Sequence, residues 1–105
     1  MKLDSNQKDA LKVLKSIAVG ECGDYNLVYM KGFATIAYAR NFKNSKMISV
    51  SVSYFDQNEC DRYRKSTGAY FALTRLILNE SVQLPLGNYD DNVIAEILVD
   101  MFDIG

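Results

Sequence analysis

Apolar positions along the chain change period twice. From Ser5 to Val19, Ala10, Leu11, Leu14, Ile17 and Ala18 recur at helical spacing, which predicts an amphipathic helix. Lys8, Lys12 and Lys15 fall at i, i+4 and i+7 and line its opposite face. Asp4 or Ser5 is placed to cap the first turn, and Gly20 and Gly23 to end the helix. Three strand-like runs follow, Leu27–Met30, Phe33–Arg40 and Met47–Phe55. In the last of them Ile48, Val50, Val52 and Tyr54 alternate with Ser49, Ser51 and Ser53. A period of two puts the apolar set on one face and the serines on the other. Lys31-Gly32 and Lys43-Asn44-Ser45-Lys46 supply turn chemistry between the runs. The expectation is a three-stranded antiparallel sheet with a wet serine face and a buried apolar face.

After Phe55 the pattern turns helical again. Asp56 followed three residues later by Glu59 suits a capping-box-like start, and the helix is expected over Glu59 to Asn79. Tyr63, Thr67, Tyr70, Leu73 and Ile77 form its stripe, widened by Ala69, Ala72 and Leu76. Gly68 lies inside it at a cost of about 1 kcal/mol relative to Ala; it either permits close packing on the sheet or marks a break between two shorter helices. Val82–Gly87, with the only proline, Pro85, reads as a loop. A last helix begins near Asp90, with Val93, Ile94, Ile97, Leu98 and Met101 inward and Glu96, Asp100 and Asp103 outward. Asp90 and Asp91 stand in the first turn, where the macrodipole favours acids. The predicted fold class is α+β: a three-stranded antiparallel sheet covered on one face by helices, in the order α-β-β-β-α-α, a two-layer sandwich forming one domain over residues 1–105.

Composition adjusts this picture little. The chain of 105 residues is 49% hydrophobic and 24% charged, an ordinary globular balance. Cys22 and Cys60 have neither Cys nor His near them, so redox and zinc spacings are absent and two reduced thiols are expected, with nothing that demands a disulfide. Lysines interrupt the apolar residues between Met1 and Val19, leaving no continuous signal core, and no apolar run approaches the roughly 20 residues of a membrane span. The expected setting is a cytoplasm, with no membrane partner. Net charge is −1, but it is unevenly spread: residues 1–55 hold eight Lys/Arg and four Asp/Glu, residues 56–105 four and nine. Such asymmetry serves electrostatic recognition or is an uneven solvated coat.

The chain has no histidine, which removes the commonest general base and zinc ligand and excludes Ser-His-Asp and Cys-His arrangements. Gly20, Cys22 and Gly23 match no phosphate-cradling motif. Asp90 and Asp91, being adjacent, point different ways on a helix and make a poor acid–base pair. Cys60 falls in the expected first turn of the second helix, where a thiolate is favoured, but has no imidazole to activate it. The reading is a non-enzyme without cofactor, metal or catalytic residues.

Binding features are clearer. Asp61-Arg62-Tyr63-Arg64-Lys65-Ser66-Thr67-Gly68, continuing to Arg75, is the strongest local cluster. Arg62 and Lys65, with Arg64 and Arg75, are suited to grip a phosphate or an acidic protein surface; pairing with Glu59 and Asp61 is the competing reading. Glu96, Asp100 and Asp103 form a secondary acidic face, either solvated or docked on a basic surface.

Two resemblances accompany these residues. The α-β-β-β-α order is similar to that of the double-stranded-RNA-binding domain, with basic residues near the start of its last helix, which implies phosphate contacts to A-form RNA. The Lys-Lys-x-x-Lys pattern and the glycine-rich approach of that family are absent, acidic Glu59 and Asp61 occupy the approach, and a third helix is added. Secondly, Tyr54-Phe55-Asp56, then Asp61 to Gly68, Ala72 and Arg75 resemble small phage-encoded proteins that interact with host factors. That resemblance spans about 20 of the 105 residues and implies an inhibitor of a host enzyme or defence complex, anti-CRISPR proteins included. The leading expectation is therefore a non-catalytic binding protein that inhibits or sequesters a host protein or ribonucleoprotein complex. The alternatives are an RNA- or DNA-binding module using Arg62, Arg64, Lys65 and Lys12, and a small-molecule or nucleotide sponge built from Arg and Tyr side chains at a homodimer interface.

Overall fold

A computed structural model describes residues 3–22, 25–30, 34–40, 47–54, 64–78, 80–85 and 89–102. The elements are α1 (Ser5–Cys22), β1 (Tyr25–Met30), β2 (Ala34–Arg40), β3 (Ile48–Tyr54), α2 (Lys65–Ile77), β4 (Val82–Leu84) and α3 (Asp91–Phe102). The strands form one antiparallel sheet in the order β1-β2-β3-β4. The chain is thus α+β as expected, but with four strands and the order α-β-β-β-α-β-α.

The fourth strand replaces the expected loop after Val82. Ile48, Ser49 and Val50 of β3 pair with Leu84, Gln83 and Val82, and the Gln83 side-chain amide donates to Ser49 Oγ at 2.7 Å. Three residues are too few to show a period of two, and Pro85, which has no N–H to continue the ladder, follows at once.

The larger correction concerns the serines. Ser49, Ser51 and Ser53 are 0%, 3% and 8% exposed; their face is a helix-packing surface. Opposite them across the ladder stand Ala39, Ala37 and Thr35, also small. Such a surface lets a helix approach closely, and α2 meets it with Gly68, Ala69 and Ala72, all buried. The polar cost is removed locally: Ser51 Oγ donates to the Ala72 carbonyl at 2.6 Å, as a buried hydroxyl must find a partner. Gly68 sits within an unbroken helix, so of its two readings close packing is the one observed. α1 completes this side, and Leu3, Leu11, Ala18, Leu73 and Leu76 fill the core between the helices and the sheet.

The apolar face of the sheet is covered separately. Ile36, Tyr38, Ile48 and Val50 pack against Ile94 and Leu98 of α3. The molecule therefore has three layers, α1/α2, sheet and α3, in place of helices on a single face. β2 is buried on both sides from Ala34 to Ala39, and burying each Ile or Leu side chain on either side of it contributes about 1.5–3 kcal/mol.

Helix ends follow from local chemistry. Asp4 caps α1: its carboxylate accepts from Gln7 N–H at 2.8 Å, and the Gln7 amide oxygen accepts from Asp4 N–H at 3.1 Å, a reciprocal capping box. α1 runs through Gly20 to Cys22, past the expected stop. α2 begins at Lys65, later than the expected Glu59, because Arg64 is extended at φ −131°, ψ 129°; Asp56 and Glu59 lie outside the described residues, as does Cys60. Asp90 is the cap of α3, accepting from Val93 N–H at 2.9 Å.

Candidate binding surface at the start of α2

Arg64 and Lys65 are brought together where α2 starts. Gly68 N–H makes the first backbone bond of the helix, to the Arg64 carbonyl at 3.1 Å. Arg64 offers no side-chain cap, and the first turn contains no acid. The positive end of the helix dipole is thus left to act alongside two full positive charges. Arg64 is half-buried, with its Nε enclosed and without a hydrogen-bond partner. Lys65 is exposed, and its ammonium lies over the Tyr29 ring, 5.1 Å from the centroid, a contact of about 0.5–1 kcal/mol at exposed sites. That contact ties the start of α2 to the end of β1. Among the described residues the one salt bridge joins Arg40 and Asp91, so no described carboxylate pairs with Arg64 or Lys65. Arg62, Glu59 and Asp61 lie outside the described residues.

Arg75 belongs to a different place. It sits eleven residues further along α2, roughly 16 Å at the helical rise. Its guanidinium donates to the Val52 carbonyl, on the part of β3 that the short β4 leaves unpaired on that side. Arg75 closes a sheet edge; the basic surface at the start of α2 does not include it.

The acidic face is on the other side of the sheet. Glu96 and Asp100, one turn apart on α3, are exposed and border a shallow depression floored by Ala95 and Val99. Asp103 lies outside the described residues. Basic and acidic surfaces are thus carried by opposite outer layers.

One polar cluster had no role in the sequence reading. Arg40, at the end of β2, meets Asp91 Oδ1 through Nε at 3.2 Å and donates to the Tyr89 carbonyl. The Tyr38 hydroxyl donates to the Asp91 carbonyl at 3.2 Å. Together they fasten the first turn of α3 to the sheet. Burial pushes the Tyr38 phenol above its ordinary range, and the Asp91 carboxylate pushes the same way; Arg40 opposes them. In the sequence, Arg40 is simply the charge that ends a strand, and nothing marks its partner 51 positions away.

Among the described residues no three His, Cys, Asp or Glu side chains are grouped to hold a metal, and no helix is long and apolar enough to cross a membrane. The α-β-β-β-α order seen up to Ile77 is extended by β4 and α3, which covers the second sheet face. The chain matches no protein-family profile, no curated protein and no solved structure.

Proposed function

We propose that this is a non-catalytic binding protein that docks on an acidic surface of another protein through the start of α2 and thereby inhibits or sequesters it. One observation carries the reading: Arg64 and Lys65 stand at a helix N-terminus with no side-chain cap from Arg64, no acid in the first turn and no described carboxylate paired to either. Charge of one sign with no counter-charge among the described residues, added to a dipole of the same sign, favours a partner of opposite charge. Lys65 lies over the Tyr29 ring, a contact that favours one placement of its ammonium and so lowers the entropy lost when it engages a partner. That the partner is a host factor rests on the motif of residues 54–75 alone.

The test compares wild type with the double variant Arg64→Glu, Lys65→Glu in capture from lysate of the cell that carries the gene. Fluorescence anisotropy against labelled RNA and DNA runs in parallel. A defined protein retained by wild type, released by salt and lost in the double variant supports the reading. Unchanged capture by the variant removes the site. Tight RNA or DNA binding whose affinity falls steeply with salt, without a captured protein, replaces the protein partner by nucleic acid. Substrate turnover by the purified chain overturns it altogether.

A further inference from the structure

The outer faces of α1 and α3 carry opposite charges that have no use within one molecule. We propose that this chain forms a weak twofold dimer in which the lysine flank of α1 docks on the acidic face of α3 of a second copy, and the reverse.

Lys8, Lys12 and Lys15 are exposed along α1. Glu96 and Asp100 are exposed on α3, beside the shallow depression floored by Ala95 and Val99. None of these charges takes part in the one described salt bridge, which joins Arg40 and Asp91. They cannot meet within one chain, because α1 and α3 lie on opposite faces of a sheet buried between them. Lys8 and Lys12 are spaced i, i+4, as are Glu96 and Asp100, so each pair shares one side of its helix.

Chain direction sets the register. Cys22 ends α1, Tyr25 begins β1, and the two elements pack together, so Lys8 lies towards the Met30 end of β1. Asp91, which begins α3, is bonded to Tyr38 and Arg40, and Tyr38 pairs with Asn26 near the start of β1. From there α3 packs along β1, with Val28 and Met30 at the rim of its core, so Asp100 also lies towards the Met30 end. α1 and α3 therefore run antiparallel on the two sides of β1, the strand that each approaches most closely.

Charge then selects both occupant and axis. A twofold perpendicular to the sheet sets α1 beside α1 and α3 beside α3, like charge against like, which is unfavourable. A twofold parallel to the strands turns the second sheet over and keeps the direction of every element. Each α1 then lies antiparallel beside α3 of the other copy, with Lys8 opposite Asp100 and Lys12 opposite Glu96. The same register continues eleven residues past Lys8, roughly 16 Å, where Val19 comes opposite Tyr89. Both are exposed apolar side chains. Lys15 falls beside the uncharged Asn92. A foreign basic helix would satisfy α3 alone and leave the α1 lysines unpaired, whereas a second copy satisfies both helices at once. Two helix faces per subunit stay below the roughly 800 Å² per partner of a standard interface, which makes the dimer a weak, transient one.

Sedimentation equilibrium of the wild-type chain from micromolar to submillimolar concentration tests it. A monomer–dimer equilibrium is expected, with the Kd rising at least about tenfold between about 50 mM and about 500 mM salt. Lys8→Glu with Lys12→Glu, and Glu96→Lys with Asp100→Lys, should each abolish self-association, since like charges then meet in both halves. Mixed in equal amounts, the two variants should associate with each other, because the mixed pair restores opposite charges in both halves. All four side chains are exposed, and far-UV circular dichroism checks that each variant is folded. A wild-type chain that stays monomeric throughout overturns the proposal. So does a mixture of the two folded variants that fails to associate, or growth of species beyond the dimer, which a closed twofold excludes. Arg64→Glu with Lys65→Glu should leave the dimer intact, so this pairing stands or falls separately from the reading of the α2 start.

Discussion

Gly68→Ala tests the closeness of α2 to the sheet, on which the three-layer arrangement depends. A Cβ at position 68 would lie 1.9 Å from Thr35 Oγ1 and 2.8 Å from Thr35 Cβ. Rotating Thr35 about χ1 can move its hydroxyl away but leaves its Cβ in place. Ordinary carbon–carbon contact is about 3.5–4.0 Å, so the helix has to withdraw by roughly 1 Å locally. Withdrawal of that size takes the Ser51–Ala72 hydrogen bond from 2.6 Å beyond bonding distance, a loss of about 1 kcal/mol. Overpacking adds about 1–3 kcal/mol, and the better helix propensity of Ala returns about 1 kcal/mol. The net expectation is destabilisation by about 2 kcal/mol, or a Tm lowered by roughly 8 °C for a domain of this size. Urea and thermal unfolding followed by far-UV circular dichroism measure it. Thr35→Ala in the Gly68→Ala background removes the nearest atom but not the Cβ, so rescue should be partial, with a coupling energy of about 0.5–3 kcal/mol in the double-mutant cycle. If Gly68→Ala is neutral or stabilising, as for a glycine on an exposed helix face, α2 does not rest on Thr35 and the buried serine face is wrong.

Two further outcomes follow from single contacts. Because the folded Tyr38 phenol is shifted upward, the unfolded chain releases that proton first. Its contribution is therefore intact below about pH 10 and is lost as pH rises through the folded value; Tyr38→Phe should flatten the alkaline fall in a stability–pH series, and an unchanged slope would remove Tyr38 as its source. Asp4→Ala breaks both halves of the α1 capping box and should cost about 1 kcal/mol in urea unfolding; no loss would mean that α1 does not begin there in solution.

How much of this was readable beforehand depends on the physical signal each feature leaves in sequence. α1, β3 and α3 were legible because each sustains its period for several residues, and β1 and β2 because apolar runs there are set off by the Lys31-Gly32 turn signal. β4 was not, since Val82–Leu84 is too short to alternate visibly. The expected start of α2 at Glu59 lies outside the described residues; the described helix begins at Lys65 because the backbone of Arg64 is extended, a conformation that the helix-like spacing around it does not signal. The alternation in β3 correctly separated two faces. Polarity alone implies solvent for the serine face, whereas the small size of its side chains implies close packing. Serines opposite alanines, beneath a helix bearing Gly68, Ala69 and Ala72, describe a surface shaped for close approach. At the candidate site, the adjacency of Arg64 and Lys65 was plain in the sequence. The departure of Arg75 was not, because it follows from a carbonyl that a three-residue strand leaves open.

The layer order also changes what the charge pattern means. Along the chain, basic and acidic residues look like two halves of one gradient. In the fold, Lys65 stands on the α1/α2 side and Glu96 and Asp100 on the α3 side, with a sheet buried on both faces between them. One flat partner surface cannot touch both without reaching around an edge, and the edges differ. β4 is short, with Pro85 beside it, while β1 is six residues long and uncharged. The basic surface at the start of α2 lies on the side of β1, through the Lys65–Tyr29 contact. A partner bound there leaves Glu96 and Asp100 facing away on the opposite layer, so charge reversal at Arg64 and Lys65 and charge reversal at Glu96 and Asp100 act on separate surfaces.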